Sequence, residues 1–319
     1  MPDLDPATLA ERVLRLSRSP PFDLMPVEDV TVLATVGREQ SFPTRTVLAR
    51  AGERTMAHYV PLAGRLRLSD NPLVEVQATH GGVGALSVLG NVVLPGDLVA
   101  EAGSVLLVLD RDALLGVLEE HGHVARTVLR LIATKLLEFR RNSTLPERPP
   151  RPPPTMRLDL VSRMLTLREA LGLGIDGMAT IARLARVARA RQFRPGESVI
   201  DGQHPADVLI LLEGSLLLKG PGATEQTVRP GEVLGLVEAV AGVPLGVEAT
   251  ARSDTTTLML SHHELAEDIE DEDALCLELI RSFSAQLWRE VAGTGPWRDV
   301  TQDGDSQDGA EDRPAAARG

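Results

Sequence analysis

Residues 83–114 read VGALSVLGNVVLPGDLVAEAGSVLLVLDRDAL, and residues 234–265 read LGLVEAVAGVPLGVEATARSDTTTLMLSHHEL. The two stretches, 32 residues each, align without a gap. Gly84 falls on Gly235, Gly90 on Ala241, Leu94 on Leu245 and Ala100 on Ala251. The apolar runs VLLVLD and TTLML lie near the end of both. Elements recurring in a fixed order are the mark of a duplicated unit, so this chain of 319 residues reads as two copies of one fold.

The correspondence continues on both sides. Upstream lies a strand ending in glycine, HYVPLAGRLRLS with Gly64 and DVLILLEGSLLLK with Gly214. Glycine suits a turn where φ is positive or a side chain would clash. Before it come GREQSFPTRTVLARAG (37–52) and RARQFRPGESVIDG (189–202), which match Phe42 with Phe193 and Val47-Leu48 with Val199-Ile200. Each half opens with a helical pattern, Val27, Val30, Leu33 and Val36 in one and Met178, Ile181, Leu184 and Val187 in the other. Each closes on an apolar stripe, Val124, Val128, Leu131, Ile132, Leu136 and Phe139 against Leu275, Leu279, Phe283, Leu287 and Val291. Such stripes pack on a core or on another helix. They can pair the two halves or two subunits.

Short strands at this spacing predict a mainly β fold with flanking helices, two tandem β jelly-roll barrels. The expected division is an N-terminal helix over 1–17, a first domain over 18–141, a proline-rich linker over 142–156, a second domain over 157–292 and a disordered acidic tail over 293–319. Asp5 is a candidate cap and Pro6 the first residue of the opening helix, with Leu9, Val13 and Leu16 on one face. The linker holds six prolines in NSTLPERPPRPPPT and reads as a semi-rigid spacer. The tail carries Asp299, Asp303, Asp305, Asp308, Glu311 and Asp312 without periodicity.

Apolar residues make up 43 % and aromatics 3 %, so Leu, Val, Ile and Ala must fill the cores. The net charge of -12 disfavours nonspecific attraction to phosphate backbones. No signal peptide and no run of eighteen apolar residues is present, which predicts a cytoplasmic chain outside the membrane. The lone Cys276 reads as a small buried hydrophobe.

Both halves resemble the cyclic-nucleotide-binding domain family. The second keeps Phe193-Arg194-Pro195-Gly196-Glu197, Leu211-Leu212-Glu213-Gly214 and Val228-Arg229-Pro230-Gly231-Glu232-Val233-Leu234-Gly235. The first keeps Leu62-Ala63-Gly64-Arg65-Leu66 and Val83-Gly84. The resemblance implies a β jelly roll that holds the ligand and helices that transmit its presence. It also implies a carboxylate for the ribose and an arginine for the cyclic phosphate. Here the carboxylate position reads Val83-Gly84-Ala85 and Leu234-Gly235-Leu236, with Glu238 two residues on, and the arginine position reads Val93-Leu94 and Pro244-Leu245. The degenerate pocket turns are therefore Gly84, Ala85, Leu94, Gly235, Leu236 and Leu245, and no cofactor is expected.

An anion entering an apolar interior needs donors or positive charge in place of its water. Losing a charged partner costs about 2–5 kcal/mol, roughly thirty-fold to several thousand-fold in affinity. The expectation is a non-enzymatic regulatory or scaffolding protein that binds another protein, with a homodimer through the closing helices as a further option. The alternative is a receptor for cAMP, cGMP or a cyclic dinucleotide, using backbone amides and Arg65 or Arg252.

No P-loop, HExxH or paired CxxC motif occurs. His262-His263 reads as a solvated helix start, and His80, His121 and His123 as scattered surface residues. Asp110-Arg111-Asp112 reads as a strand-to-helix junction with a capping Asp, and the acids from Glu267 to Asp273 as a solvated face or helix start. The basic strip Arg183, Arg186, Arg189, Arg191 and Arg194 is suited to an acidic partner or the tail itself, with Arg183 and Arg186 on one helical face and Arg189 a further candidate for it; no nucleic-acid partner is expected.

Overall fold

The computed structural model describes residues 6–18, 22–69, 76–78, 82–142, 159–174, 178–202, 207–220, 225–244 and 246–294. The proline-rich segment beyond residue 142, the acidic residues beyond 294, Asp5, His80 and Leu245 lie outside them.

The first half begins with α1 (Pro6–Leu16), α2 (Val27–Val36), β1 (Arg38–Phe42), β2 (Thr46–Ala49), β3 (Ala57–Ala63), β4 (Leu66–Ser69) and β5 (Val76–Ala78). It continues with α3 (Ala85–Gly90), β6 (Asp97–Ala100), β7 (Ser104–Asp110), α4 (Arg111–Glu120) and α5 (Gly122–Asn142). The second half has α6 (Leu160–Leu171), α7 (Met178–Val187), β8 (Arg189–Phe193), β9 (Ser198–Ile200), β10 (Val208–Glu213), β11 (Leu216–Lys219) and β12 (Glu225–Val228). Then come β13 (Val233–Leu234), α8 (Leu236–Ala241), β14 (Glu248–Ala251), β15 (Thr255–Leu260), α9 (His262–Asp271) and α10 (Asp273–Thr294).

The expectation of a mainly β fold built from jelly-roll barrels is corrected. Roughly half of the structure is helix, and the sheets are open. Their orders are β1-β7-β3 and β2-β6-β4-β5 in the first half, and β13-β10-β15-β8 and β12-β11-β14-β9 in the second. The reason lies in where the apolar surface goes. Strand β7 sends Leu107 and Leu109 to a large core shared with the helices, and Leu106 and Val108 to a smaller core between the sheets. One face of that sheet is thus covered by helices rather than closed on itself. The 21-residue α5 and the 22-residue α10 account for much of the helix.

The duplication is visible element by element. A step of 151 residues carries β1 to β8, β6 to β14, β7 to β15, α4 to α9, and α5 to α10. Strands β3 and β10 match one residue short of this step. Both are followed by a positive-φ glycine, Gly64 and Gly214, as the sequence led us to expect. One register differs from the sequence pairing. Ala49 and Ile200, not Leu48 and Ile200, hold the same ladder position, opposite Leu98 and Ala249, and both are buried.

The same step carries α1 onto α6, a correspondence not read from the sequence. The pattern Leu9-x-x-Arg12-x-Leu14-x-Leu16 returns as Leu160-x-x-Arg163-x-Leu165-x-Leu167. Leu16 and Leu167 are both fully buried. Arg12 donates from Nη1 to Gly37 O at 2.9 Å, and Arg163 donates from Nη1 to Ala188 O at 3.1 Å. Each arginine satisfies a carbonyl where the second helix of its half gives way to a strand, a buried group that would be costly to leave unpaired.

The closing helices pack on each other within one chain. Val124, Val128, Ile132 and Leu136 of α5 share the large core with Leu275, Leu279, Phe283 and Leu287 of α10. These stripes are therefore not free for a second copy, and the homodimer through them is not what the structure presents.

Candidate functional site: the glycine-capped turns

Gly84 caps the N-terminus of α3 with φ +111°, and Gly235 caps that of α8 with φ +80°. A Cβ on Gly84 would stand 2.4 Å from Ala57 O, so both space and conformation select glycine there. Ala85 and Leu236 follow as first helical residues and are buried in the helical core. The positions at which the resemblance implies a carboxylate thus serve packing. Glu238 lies in the first turn of α8, at the place that Ser87 holds in α3.

Leu94 has no exposed surface. Its backbone is tied to the loop after β2, with its N–H donating to Glu53 O at 2.8 Å and its carbonyl accepting from Gly52 N at 2.9 Å. Its side chain lies with Phe42, Leu66, Leu98, Leu106 and Val108 between the two sheets. Trp288, from α10 of the other half, packs against the same cluster and donates from Nε1 to Val93 O at 3.1 Å. In the second half Leu209, Leu211, Leu216, Val228 and Ala251 are buried, with Ile200 and Ala249 in an adjoining cluster. Each half also has partly buried apolar side chains around this space, Leu48, Tyr59, Val83 and Trp288 in the first and Phe193, Val199, Leu218, Leu234 and Met259 in the second. Leu245 lies outside the described residues, so the structure places five of the six turn residues.

The turns also join the halves. Helix α3 packs on α10, and α8 packs on α5, a reciprocal exchange. A Cβ on Gly90 would stand 2.8 Å from Ala285 N, so α10 lies almost on the backbone of α3. The apolar contact is nearly symmetric and the polar contact is not. Arg126 of α5 donates to Ile269 O, Glu270 O and Asp273 Oδ1, and Arg140 pairs with Glu290 at 2.9 Å. The first half brings the cations and the second the anions. Pairing the first half's helix with a copy of itself would instead oppose like charges.

Three arginines bear on the anion question. Arg65 is exposed, and its backbone N–H donates to Ser104 Oγ. Arg252 is exposed and donates to Thr227 Oγ1 at 3.4 Å. Arg111, read from the sequence only as part of the strand-to-helix junction, donates from Nη1 to Val88 O at 2.6 Å. Val88 belongs to the helical core, so this guanidinium braces the far end of α3 rather than the space between the sheets. Asp110 stands at the N-cap of α4, but its carboxylate makes no capping bond there and takes Arg38 instead, at 2.8 Å.

The remaining candidates fall at the surface or in the packing. His262 and His263 begin α9 behind Ser261, whose side chain caps the helix, and they pair with Asp207 at 3.3 Å and Glu267 at 3.2 Å. His121 and His123 stack edge to face at 5.9 Å, and His123 meets Asp29 at 3.3 Å. Of the acids from Glu267 to Asp273, those up to Asp271 lie at the end of α9, where Glu267, Glu270 and Asp271 are exposed, and Asp273 starts α10; Asp268 is held by Arg183 at 2.6 Å. Burial raises the Asp268 carboxyl above its ordinary range, against the pull of that arginine. Among the described residues no cluster of three or more His, Cys, Asp or Glu could hold a metal ion, and no helix is long and apolar enough to cross a membrane. Cys276 is buried, and desolvation pushes its thiol up to about 12. A thiol so shifted carries almost no thiolate and is inert.

One buried titratable group carries no expectation from sequence. His58 in β3 is fully buried, with Nδ1 3.2 Å from Val83 O and its ring edge-on to Phe22 at 5.4 Å. Burial lowers its pKa to about 4. Val208 holds the same place in β10, opposite Leu260 as His58 is opposite Leu109.

No protein-family model and no curated protein matches the chain. Among solved structures, the regulatory subunit of a cAMP-independent protein kinase A from Trypanosoma cruzi, bound to guanosine, is 16 % identical, with a TM-score of 0.33 over 94 % of this chain and 93 % of that one. The regulatory domain of Toxoplasma gondii PKA with cAMP is 16 % identical, with a TM-score of 0.32 over 91 % of this chain and 98 % of that one. The corresponding Trypanosoma brucei subunit is 15 % identical, with a TM-score of 0.33 over 94 % of each chain.

Proposed function

We propose that the chain is a non-enzymatic, cytoplasmic regulatory protein that works by binding another protein, and that its first half no longer holds a cyclic nucleotide. Its units are the two repeated halves, 18–141 together with α1, which precedes it, and 157–292, which already contains the matching α6. The observation that carries the reading is Leu94. It fills the apolar space between the sheets where the family resemblance calls for an arginine, and it is wholly buried. A cyclic phosphate placed there would lose its water with no cation to replace it.

One observation favours a second reading for the second half alone. Thr257, a buried hydroxyl on the same strand face as Met259, stands where the first half has the apolar Leu106. A ligand retained by this protein would sit there. Calorimetric titration of the full chain with cAMP, cGMP and cyclic dinucleotides tests both readings. The protein-binding reading expects no heat of binding at micromolar ligand. Micromolar binding that disappears on blocking the second half with Ala251→Trp supports the second reading, and binding that survives that substitution overturns both.

A further inference from the structure

We propose that the outer strand of the second half, with Arg186, Arg189, Arg191 and Arg194, is the docking surface for the acidic segment 299–312 of the same chain. Strand β8 is the edge of its sheet, paired with β15 on one side only. Its residues Arg189 to Gln192 are all exposed. Arg189 and Arg191 stand opposite Met259 and Thr257, and so share one face. Arg186 lies in the last turn of the preceding helix, and Arg194 leads into the following turn. Among the described residues none of these four guanidinium groups meets a carboxylate, whereas neighbouring Arg183 meets two, at 2.6 Å and 2.9 Å.

The first half shows what is missing. Its strand β1 is the equivalent edge and is neutralised internally. Arg38 is held by both oxygens of Asp110, and Glu39 is held by Arg12. In the second half the cation is kept as Arg189, but Ala190 stands for Glu39, Ser261 for Asp110, and Arg191 for Gln40. Both acids are gone and one cation is added. Like charges two residues apart on one strand face repel, and nothing in the described chain offsets them.

The complementary charge lies on the same polypeptide. Residues 299–312 hold six carboxylates and no Lys or Arg, and they begin five residues after Thr294, where α10 ends. The 14 residues can extend over roughly 45 Å at about 3.3 Å each. Tethering gives the segment an effective concentration in the millimolar range. Single exposed ion pairs contribute only about 0–1 kcal/mol, so the contact is reversible and sensitive to salt. It leaves the edge open to a partner that presents a denser acidic surface, and a ligand seated beside Met259 and Thr257 would share the face of Arg189 and Arg191.

The test uses the full chain with a nitroxide on Ser306→Cys, Cys276 being buried and unreactive. Amide signals of 189–194 are expected to lose most of their intensity through paramagnetic broadening, and to recover it at about 0.5 M salt, where screening is short-ranged. Recovery is also expected with Arg189→Glu and Arg191→Glu together, and independently with Asp303→Asn, Asp305→Asn and Asp308→Asn. No broadening at β8, or broadening that survives both charge changes, overturns the proposal. So does a DNA duplex that shifts the β8 signals while the labelled segment leaves them untouched, which would assign the edge to nucleic acid.

Discussion

In the first half, Leu94 fills the space between the sheets, and Trp288 from the other half packs against the same cluster. In the second half the corresponding cluster is split in two and holds the buried hydroxyl of Thr257 where the first half has Leu106, and among the described residues the arginines of the sheet edge beside it meet no carboxylate. The backbone is shared, the filling is not. Duplication preserved what the elements need in order to pack: the capping glycines, the arginines at the helix-to-strand joints, the closing stripes. It let the interior and the edges diverge. The conserved elements are also those that hold the halves together, because each half's glycine-capped helix rests on the other half's closing helix.

The sharpest way to break this comparison is to cut the shared core. Phe283→Ala removes a fully buried ring from α10 and is expected to cost about 3–5 kcal/mol, and Ile132→Ala at the matching place in α5 about 2–5 kcal/mol. Both should lower a single calorimetric transition of the whole chain. Two transitions, only one of which moves, would mean that the halves are independent.

His58 separates the halves by pH. Between pH 6.5 and about 4 the unfolded chain takes up a proton at this residue and the folded chain does not, so stability falls as pH drops through that window. The full effect is roughly 3 kcal/mol. His58→Val, which copies Val208, should flatten the difference in urea midpoint between pH 7 and pH 4.5. An unchanged slope would show that the carboxylates alone set the acid sensitivity.

The close approach at Gly90 predicts a smaller asymmetry. Gly90→Ala pushes a methyl against Ala285 N and should cost about 1–3 kcal/mol. Ala241→Gly in the other half should cost about 1 kcal/mol or less. Equal effects in chemical denaturation would remove the evidence of tighter packing on α3. Smallest is the effect of Glu39: Glu39→Gln leaves Arg12 on the Gly37 carbonyl and should cost about 1 kcal/mol or less, whereas Arg12→Ala loses both contacts, about 2 kcal/mol. Thermal midpoints that fall equally would show that the carbonyl contact adds nothing.

Much of the scaffold was legible from residues 83–114 and 234–265, because glycines at forced backbone positions and apolar spacing survive divergence. The share of α1 and α6 in the repeat was equally present, as Leu9-x-x-Arg12-x-Leu14-x-Leu16 and its copy at 160, but the proline-rich segment between the halves hid it. Barrel closure was misjudged because strand patterns report which face is apolar, not whether an edge finds a partner. The large core around α5 and α10 takes the sheet face that closure would have used. At the turns, Gly84 and Gly235 were readable from their neighbours. The bracing role of Arg111 and the burial of His58 were not, since each depends on a contact between residues far apart in sequence.

Reciprocal packing of the halves is tested most directly by pulse-labelled hydrogen exchange of the full chain in rising urea, followed by mass spectrometry of peptides from α3, α5, α8 and α10. One cooperative body predicts that all four lose protection together, at one urea concentration and in one isotopic step. Loss of α3 and α5 at one concentration and of α8 and α10 at another would contradict it.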